Sequence, residues 1–233
     1  LTVKAGATLA LYGENVVLSV HNLILEAGSF LAWNGGVIQI DGGSFNQGDI
    51  DLIVGDTAAL STLRLINGSI TVITQDTYIG MDMGDQGRIE VTGSTFTSRN
   101  ITVGMEGHGW LQVTRGGVVN CIELTIGLLP GGEGQVFIDG ASSIRAATLI
   151  EIGTGGGLGD LTLAGGAKVF APQITVGELG RIIRRHEDGG LFALAHQCRR
   201  GYQHDVGVLL GVDVQLYRHP RGKSGWRHEA DAD

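Results

Sequence analysis

Residues 103–119 read VGMEGHGWLQVTRGGVV, and residues 126–144 read IGLLPGGEGQVFIDGASSI. Both open on Val/Ile-Gly, pass through a glycine-rich turn, and reach an apolar-x-apolar triplet. Leu111-Gln112-Val113 in the first stretch answers Val136-Phe137-Ile138 in the second. In a strand, residues i and i+2 share a face, so each triplet offers two aliphatic side chains to one side. One such unit cannot bury that face alone, whereas a tandem stack of units can.

Outward from this pair the opening mark recurs. A glycine closes an alternating triplet at Gly55, Gly80, Gly104, Gly127, Gly153 and Gly177, at intervals of 25, 24, 23, 26 and 24 residues. The aliphatic residues just before them are Val54, Ile79, Val103, Ile126, Ile152 and Val176, which are expected to form one ladder in the core. Looser copies are expected at Gly6 and Gly28. A second glycine follows each strong mark, at Gly68, Gly93, Gly116, Gly140 and Gly165. A third row, Gly87, Gly109, Gly134 and Gly159, stands two residues before the mid-repeat triplet. A shorter strand comes next, with Ile70, Phe96, Val119, Ile144 and Val169 as its expected inward residues.

A fixed period of this length marks a solenoid. The rows predict an all-β fold: a right-handed single-stranded parallel β-helix of about seven to eight coils. It should occupy residues 1–180, with the repeats best defined over 50–180. Neighbouring coils should pair in parallel at about 4.8 Å. Sharp corners call for left-handed backbone, which is costly for a residue with a Cβ. Those corners are the expected place of the glycines. The strands of a β-sandwich would not recur so evenly. A leucine-rich solenoid needs a helical stretch and an Asn ladder in each repeat, and neither is present.

Composition agrees. The chain has 40 glycines and 3 prolines in 233 residues, with no Gly-X-Y period, which excludes collagen. It is 42% hydrophobic and 17% charged, too apolar for a disordered chain. Net charge is −8, unevenly spread. Residues 1–180 hold 7 Lys+Arg against 17 Asp+Glu, and residues 181–233 hold 9 against 7. An acidic body argues against nucleic acid as the partner. Its bland meaning is solubility. Cys121 and Cys198 lie far apart and form no disulfide framework. No apolar run is long enough to span a bilayer as a helix, so no direct membrane insertion is expected. The chain begins at Leu1 without a basic start and apolar run, so no signal peptide is read there, and the missing initiator Met points to a fragment or processed chain.

The two quoted runs resemble the glycine-rich repeat of bacterial autotransporter passenger domains, the T5SS/PEP-CTERM-associated repeat. The resemblance covers about 50–180 well and 1–49 loosely. It implies export to the bacterial surface or medium, in association with the outer membrane through a region not in this sequence. It brings no catalytic residues. The function so implied is structural or adhesive, as stalk or adhesin. Host or matrix glycans or proteins, or self-association through coil ends, are the partners it admits. No cofactor, metal or enzymatic activity is expected. The alternative is a polysaccharide lyase or hydrolase, since several such enzymes are β-helices.

The residues offer few rivals. His108 and Trp110 are read as lying on a turn, where a sugar platform competes with plain decoration. Asp82 and Asp85 in MDMGD loosely suggest a calcium turn, but the tandem GGxGxDxUx repeat is missing. The run GTGGGLG (153–159) joins two strands rather than opening a helix, so it is not read as a phosphate loop. A catalytic β-helix needs paired carboxylates on one face. The outward row Arg64, Glu90, Gln112, Phe137, Thr162 offers none. Residues 181–233 lose the period and hold five of seven histidines: His186, His196, His204, His219 and His228. Their spacing fits no tight metal motif. LFALAH is read as a short helix and DVGVLLGVDVQLY as one or two strands. The segment is read as a cap, an oligomerisation element, or a frameshifted or disordered tail.

Overall fold

The computed structural model describes residues 1–185 and the backbone of Leu191–Ala195. Among these residues every regular element is a β-strand. Parallel strands stack into a β-solenoid of about seven turns. From residue 52 onward each turn visits three faces.

The broad face carries Ser61–Ile66, Gln86–Thr92, His108–Thr114, Glu133–Ile138, Leu158–Leu163 and Gly180–Arg185, each parallel to the next. The second face carries Ile70–Ile73, Thr95–Ser98, the start of Val118–Ile126, the start of Ser143–Ile152, and Lys168–Phe170. The third carries Leu52–Val54, Thr77–Ile79, Asn100–Val103, the ends of those same two long strands, and Gln173–Val176. A register shift between Cys121 and Glu123 bends Val118–Ile126 around the corner between the last two faces.

The period of two decides what is inside. On the broad face Leu63, Ile89, Leu111, Val136 and Leu161 stack inward and are buried, while the residues between them face out. On the third face Val54, Ile79, Val103, Ile126 and Ile152 form the expected ladder, all fully buried. Val176 pairs with Ile152 on the last rung and is only half-buried. Each fully buried aliphatic side chain contributes about 1.5–3 kcal/mol of transfer free energy.

The glycine rows interlock, for two different reasons. Gly80, Gly104, Gly127 and Gly153 have φ between +62° and +69°, the left-handed region. They also sit against the next coil: a Cβ on Gly104 would lie 2.3 Å from the Glu133 carbonyl carbon. Gly109, Gly134 and Gly159 have no left-handed φ. Their constraint is approach alone: a Cβ on Gly134 would lie 2.1 Å from the Val103 carbonyl oxygen. That oxygen also accepts the Gly127 N–H at 2.9 Å. Gly55 and Gly87 repeat the arrangement one coil earlier, with Gly55 left-handed and Gly87 close to the Val54 carbonyl. Gly177 lacks the left-handed φ, and its Cβ would meet the Gly153 carbonyl oxygen at 2.0 Å.

Several expectations need correction. Gly6 and Gly28 are not the early copies of Gly55. They follow Thr2–Val3 and Val17–Leu25, at the corner that leads to Thr8–Tyr12 and Phe30–Asn34. Gly13 and Gly35 hold the corner onto the broad face instead. Ile70 does not point inward: it is 60% exposed, and Thr71 takes the slot beside Phe96. A boundary at 180 cuts the solenoid, because Gly180–Arg185 continues the broad face in register with Leu158–Leu163. Gly180 follows Gly159 in the third glycine row. Leu191–Ala195, read as helical, is a strand antiparallel to Gly180–Arg185. Among the described residues that reversal is the last pairing on this face. The readings of the five tail histidines, of Cys198 and of DVGVLLGVDVQLY lie outside the described residues.

Candidate functional site

The outward surface of the broad face gathers the polar and aromatic side chains that the hydrophobic ladder leaves over. Parallel, in-register pairing places residues from successive coils side by side. One outward row is Arg64, Glu90, Gln112, Phe137, Thr162. The next is Arg88, Trp110, Gln135, Asp160, Arg181. A third is Gln86, His108, Glu133, Leu158.

His108 and Trp110 are therefore strand residues, not turn residues. Gly109 between them gives the appearance of a turn, but it serves close packing on the Ile79 carbonyl oxygen, 2.3 Å from where its Cβ would be. The two rings stack at 6.1 Å between centroids with 15° between planes. The Arg88 guanidinium lies 5.6 Å from the Trp110 ring centroid, within cation–π range. Trp110 is thus bordered by Arg88 and Gln135 on the neighbouring coils and by His108 and Gln112 along its own strand.

Charge on this face is already balanced, mostly between coils. Arg64 Nε donates to Glu90 Oε2 at 2.7 Å, and Arg88 lies 3.7 Å from the same carboxylate. His108 Nδ1 meets Glu133 Oε2 at 3.0 Å. Arg181 Nε donates to Asp160 Oδ1 at 2.6 Å. Each acid therefore faces a basic group rather than a second acid. Gln112 and Gln135 are different. Both are exposed, and neither side chain makes a hydrogen bond among the described residues.

The remaining candidates resolve into packing. Asp85 is buried, and its Oδ2 accepts the Asp82 N–H at 2.9 Å. Burial, then the nearby Asp82 and Asp56 carboxylates, raise the Asp85 carboxyl above its ordinary range. The pair braces one turn. Among the described residues no group of three or more His, Cys, Asp or Glu is placed to hold a metal ion. The run 153–159 joins Ser143–Ile152 to Leu158–Leu163, and a Cβ on Gly155 would meet the Leu128 carbonyl oxygen at 1.9 Å. Cys121 is buried, and desolvation, with a smaller contribution from Glu123, pushes its thiol up to about 12. It has no thiolate to offer at neutral pH. At the corner before the third face, Arg99 grips Asp76 through two bonds of 2.8 and 2.9 Å.

The inter-coil pairs escape a reading of the bare sequence because partners stand 21 to 26 residues apart. Applying the repeat period to charged residues would have found them: Arg64 and Glu90 are 26 apart, His108 and Glu133 are 25 apart.

Comparison with known proteins adds one relative. The chain is 30% identical over 133 residues to the uncharacterized lipoprotein YdeK of Escherichia coli (strain K12), a match covering 51% of this chain and 10% of that protein. The chain thus spans about a tenth of the length of the curated relative it matches. No protein-family model matches the chain, and no solved structure matches it significantly.

Proposed function

We propose that this chain is a structural, adhesive segment of a bacterial surface or secreted protein: a β-solenoid rod of the autotransporter-passenger kind, acting as stalk or adhesin. The observation that carries the reading is the broad face. Six strands from Ser61–Ile66 to Gly180–Arg185 form a continuous sheet whose outward residues stand in straight rows. Such a surface suits extended contact with a partner over many small increments.

Two further points support it. Each carboxylate of the outward rows contacts a basic side chain rather than a second carboxylate, whereas glycoside hydrolysis needs two carboxyl groups flanking one bond. The relative named above is described as a lipoprotein, and that weakly supports a membrane-associated or surface location for this chain.

Adhesion and catalysis separate in one experiment. Beads coated with the chain are washed over surfaces bearing neutral glycans, acidic glycans and matrix proteins. Reducing ends and unsaturated products released from the same glycans are assayed in parallel. Retention without release is the expected result. Release of reducing ends or unsaturated products would replace this reading with a polysaccharide-active enzyme, and no retention on any surface would remove the adhesive role.

A further inference from the structure

We infer that Trp110 is the centre of a binding site for a neutral glycan. The inference deepens the adhesive reading above by naming the ligand class and the residues. Three observations carry it.

First, an indole stands on the solvent side of a flat sheet. The indole is half-buried, stacked by His108 and approached by the Arg88 guanidinium, and the part of its apolar surface that they leave uncovered meets solvent. Its inward neighbours Leu111 and Val113 already fill the core. The C–H face of a pyranose ring is the flat, weakly apolar surface that suits an aromatic platform.

Second, the free hydrogen-bonding groups around the ring are planar amides. Gln112 is two residues along the strand, and Gln135 is the register partner of Trp110 on the next coil. Both are exposed and unsatisfied by other side chains among the described residues. An amide supplies one acceptor and two donors, which matches the mixed donor-acceptor character of sugar hydroxyls.

Third, the charges nearby are spoken for. Glu90 is held by Arg64, Glu133 by His108, and Asp160 by Arg181. Arg88 lies toward Glu90 and over the indole itself. A uronic acid or sulfated sugar would have to break one of these pairs to find a cation. A neutral hexose or N-acetylhexosamine unit needs only the ring and the two amides. The geometry therefore selects neutral over acidic glycans.

The test is titration of the whole chain with neutral hexaoses of glucose, mannose, galactose and N-acetylglucosamine, with polygalacturonate as the acidic comparison. Isothermal calorimetry reads binding, and circular dichroism checks the fold of each variant. At least one neutral hexaose should bind. Trp110→Ala should weaken it tenfold or more, and Trp110→Phe should recover part of the loss. Gln112→Ala combined with Gln135→Ala should weaken it several-fold with an unaltered fold, whereas Glu133→Gln should leave it unchanged. Binding that survives Trp110→Ala, binding confined to polygalacturonate, or no binding of any neutral hexaose would overturn the site. Its failure is distinct from failure of the adhesive reading. Beads that stick equally well with Trp110→Ala sink the site alone, and hexaose binding without bead retention sinks adhesion alone.

Discussion

The coils before Leu52 and those from Leu52 to Val176 are built from the same three passes but closed differently. In the later coils two glycine rows interlock, and a Cβ on Gly127 would lie 2.1 Å from the Leu158 carbonyl oxygen. In the early coils Gly6, Gly13 and Gly28 are also left-handed, yet nothing stands within 4 Å of where their Cβ would be. The early coils are shorter too, since Val17 pairs with Val37 only 20 residues on. Their outer surface leaves Leu1, Tyr12, Val16, Val17, Ile24 and Phe30 exposed. Left-handed glycines turn the chain in both regions. From Gly55 to Gly153 those at one corner also set how closely one coil approaches the next, turn after turn. Among those of the early coils such close contact is confined to Gly35 and Gly36, where a Cβ on Gly36 would lie 2.6 Å from the Val16 carbonyl oxygen.

The largest expected contrast is in the core. Phe96 is fully buried on the second face, and Phe96→Ala should cost about 3–5 kcal/mol. Leu9, on an early coil, is only partly buried. Leu9→Ala should cost roughly 1 kcal/mol, because part of its surface already meets water. Urea denaturation followed by circular dichroism measures both. Equal losses would mean that the early coils are packed as tightly as the later ones.

The glycines sharpen the contrast at constant backbone geometry. Gly127→Ala combines left-handed strain with a backbone collision and should cost about 3 kcal/mol or more. Gly28→Ala meets the same strain in open space and should cost about 1 kcal/mol. Similar denaturation midpoints for the two variants would contradict the interlock.

Thr71 supplies a smaller effect of opposite sign. It is fully buried and its Oγ1 has no hydrogen-bond partner. Thr71→Val replaces that hydroxyl with a methyl group and should raise stability by roughly 1 kcal/mol. A loss on Thr71→Val would show that the hydroxyl is satisfied.

The smallest effect is electrostatic. The hydrogen bonds from Arg99, more than the charge alone, hold the Asp76 carboxyl below its ordinary range. A carboxyl lowered in the folded state adds stability above its unfolded pKa, and the gain is lost as pH falls through the folded one. Asp76→Asn should therefore lower the urea midpoint slightly at pH 7, and the difference should begin to shrink below about pH 4 and vanish only once pH has fallen through the lowered folded value. A midpoint difference that persists in acid would assign the effect to packing instead.

The contrast between regions also explains what the sequence made legible. From Gly55 onward the period recurs often enough that the mean layout survives local exceptions, so the Val54-to-Ile152 ladder and the glycine rows could be read directly. In the early coils the period shortens and a glycine marks more than one corner, so Gly6 and Gly28 stood in for Gly13 and Gly35. Hydrophobicity alone pointed Ile70 inward. The register with Thr95–Ser98 turns it out and buries Thr71, because a one-residue slip exchanges the faces of a strand. The surroundings of Trp110 were hidden for a related reason. Gln135 and Arg88 are its neighbours only across coils, and no local window of sequence joins them.

One distance series tests the in-register stack most directly. Gln39, Gln112, Phe137 and Thr162 stand in one outward row, with Arg64 and Glu90 between the first two. Nitroxide labels would be attached to cysteines placed at Gln39 and, in turn, at each of the others. The background would carry Cys198→Ser, and Cys121 is shielded by burial. Pulsed electron–electron resonance should give backbone separations of about 14, 19 and 24 Å, one step of about 4.8 Å for each coil. Separations that fail to lengthen by one coil spacing at each step would contradict the parallel solenoid.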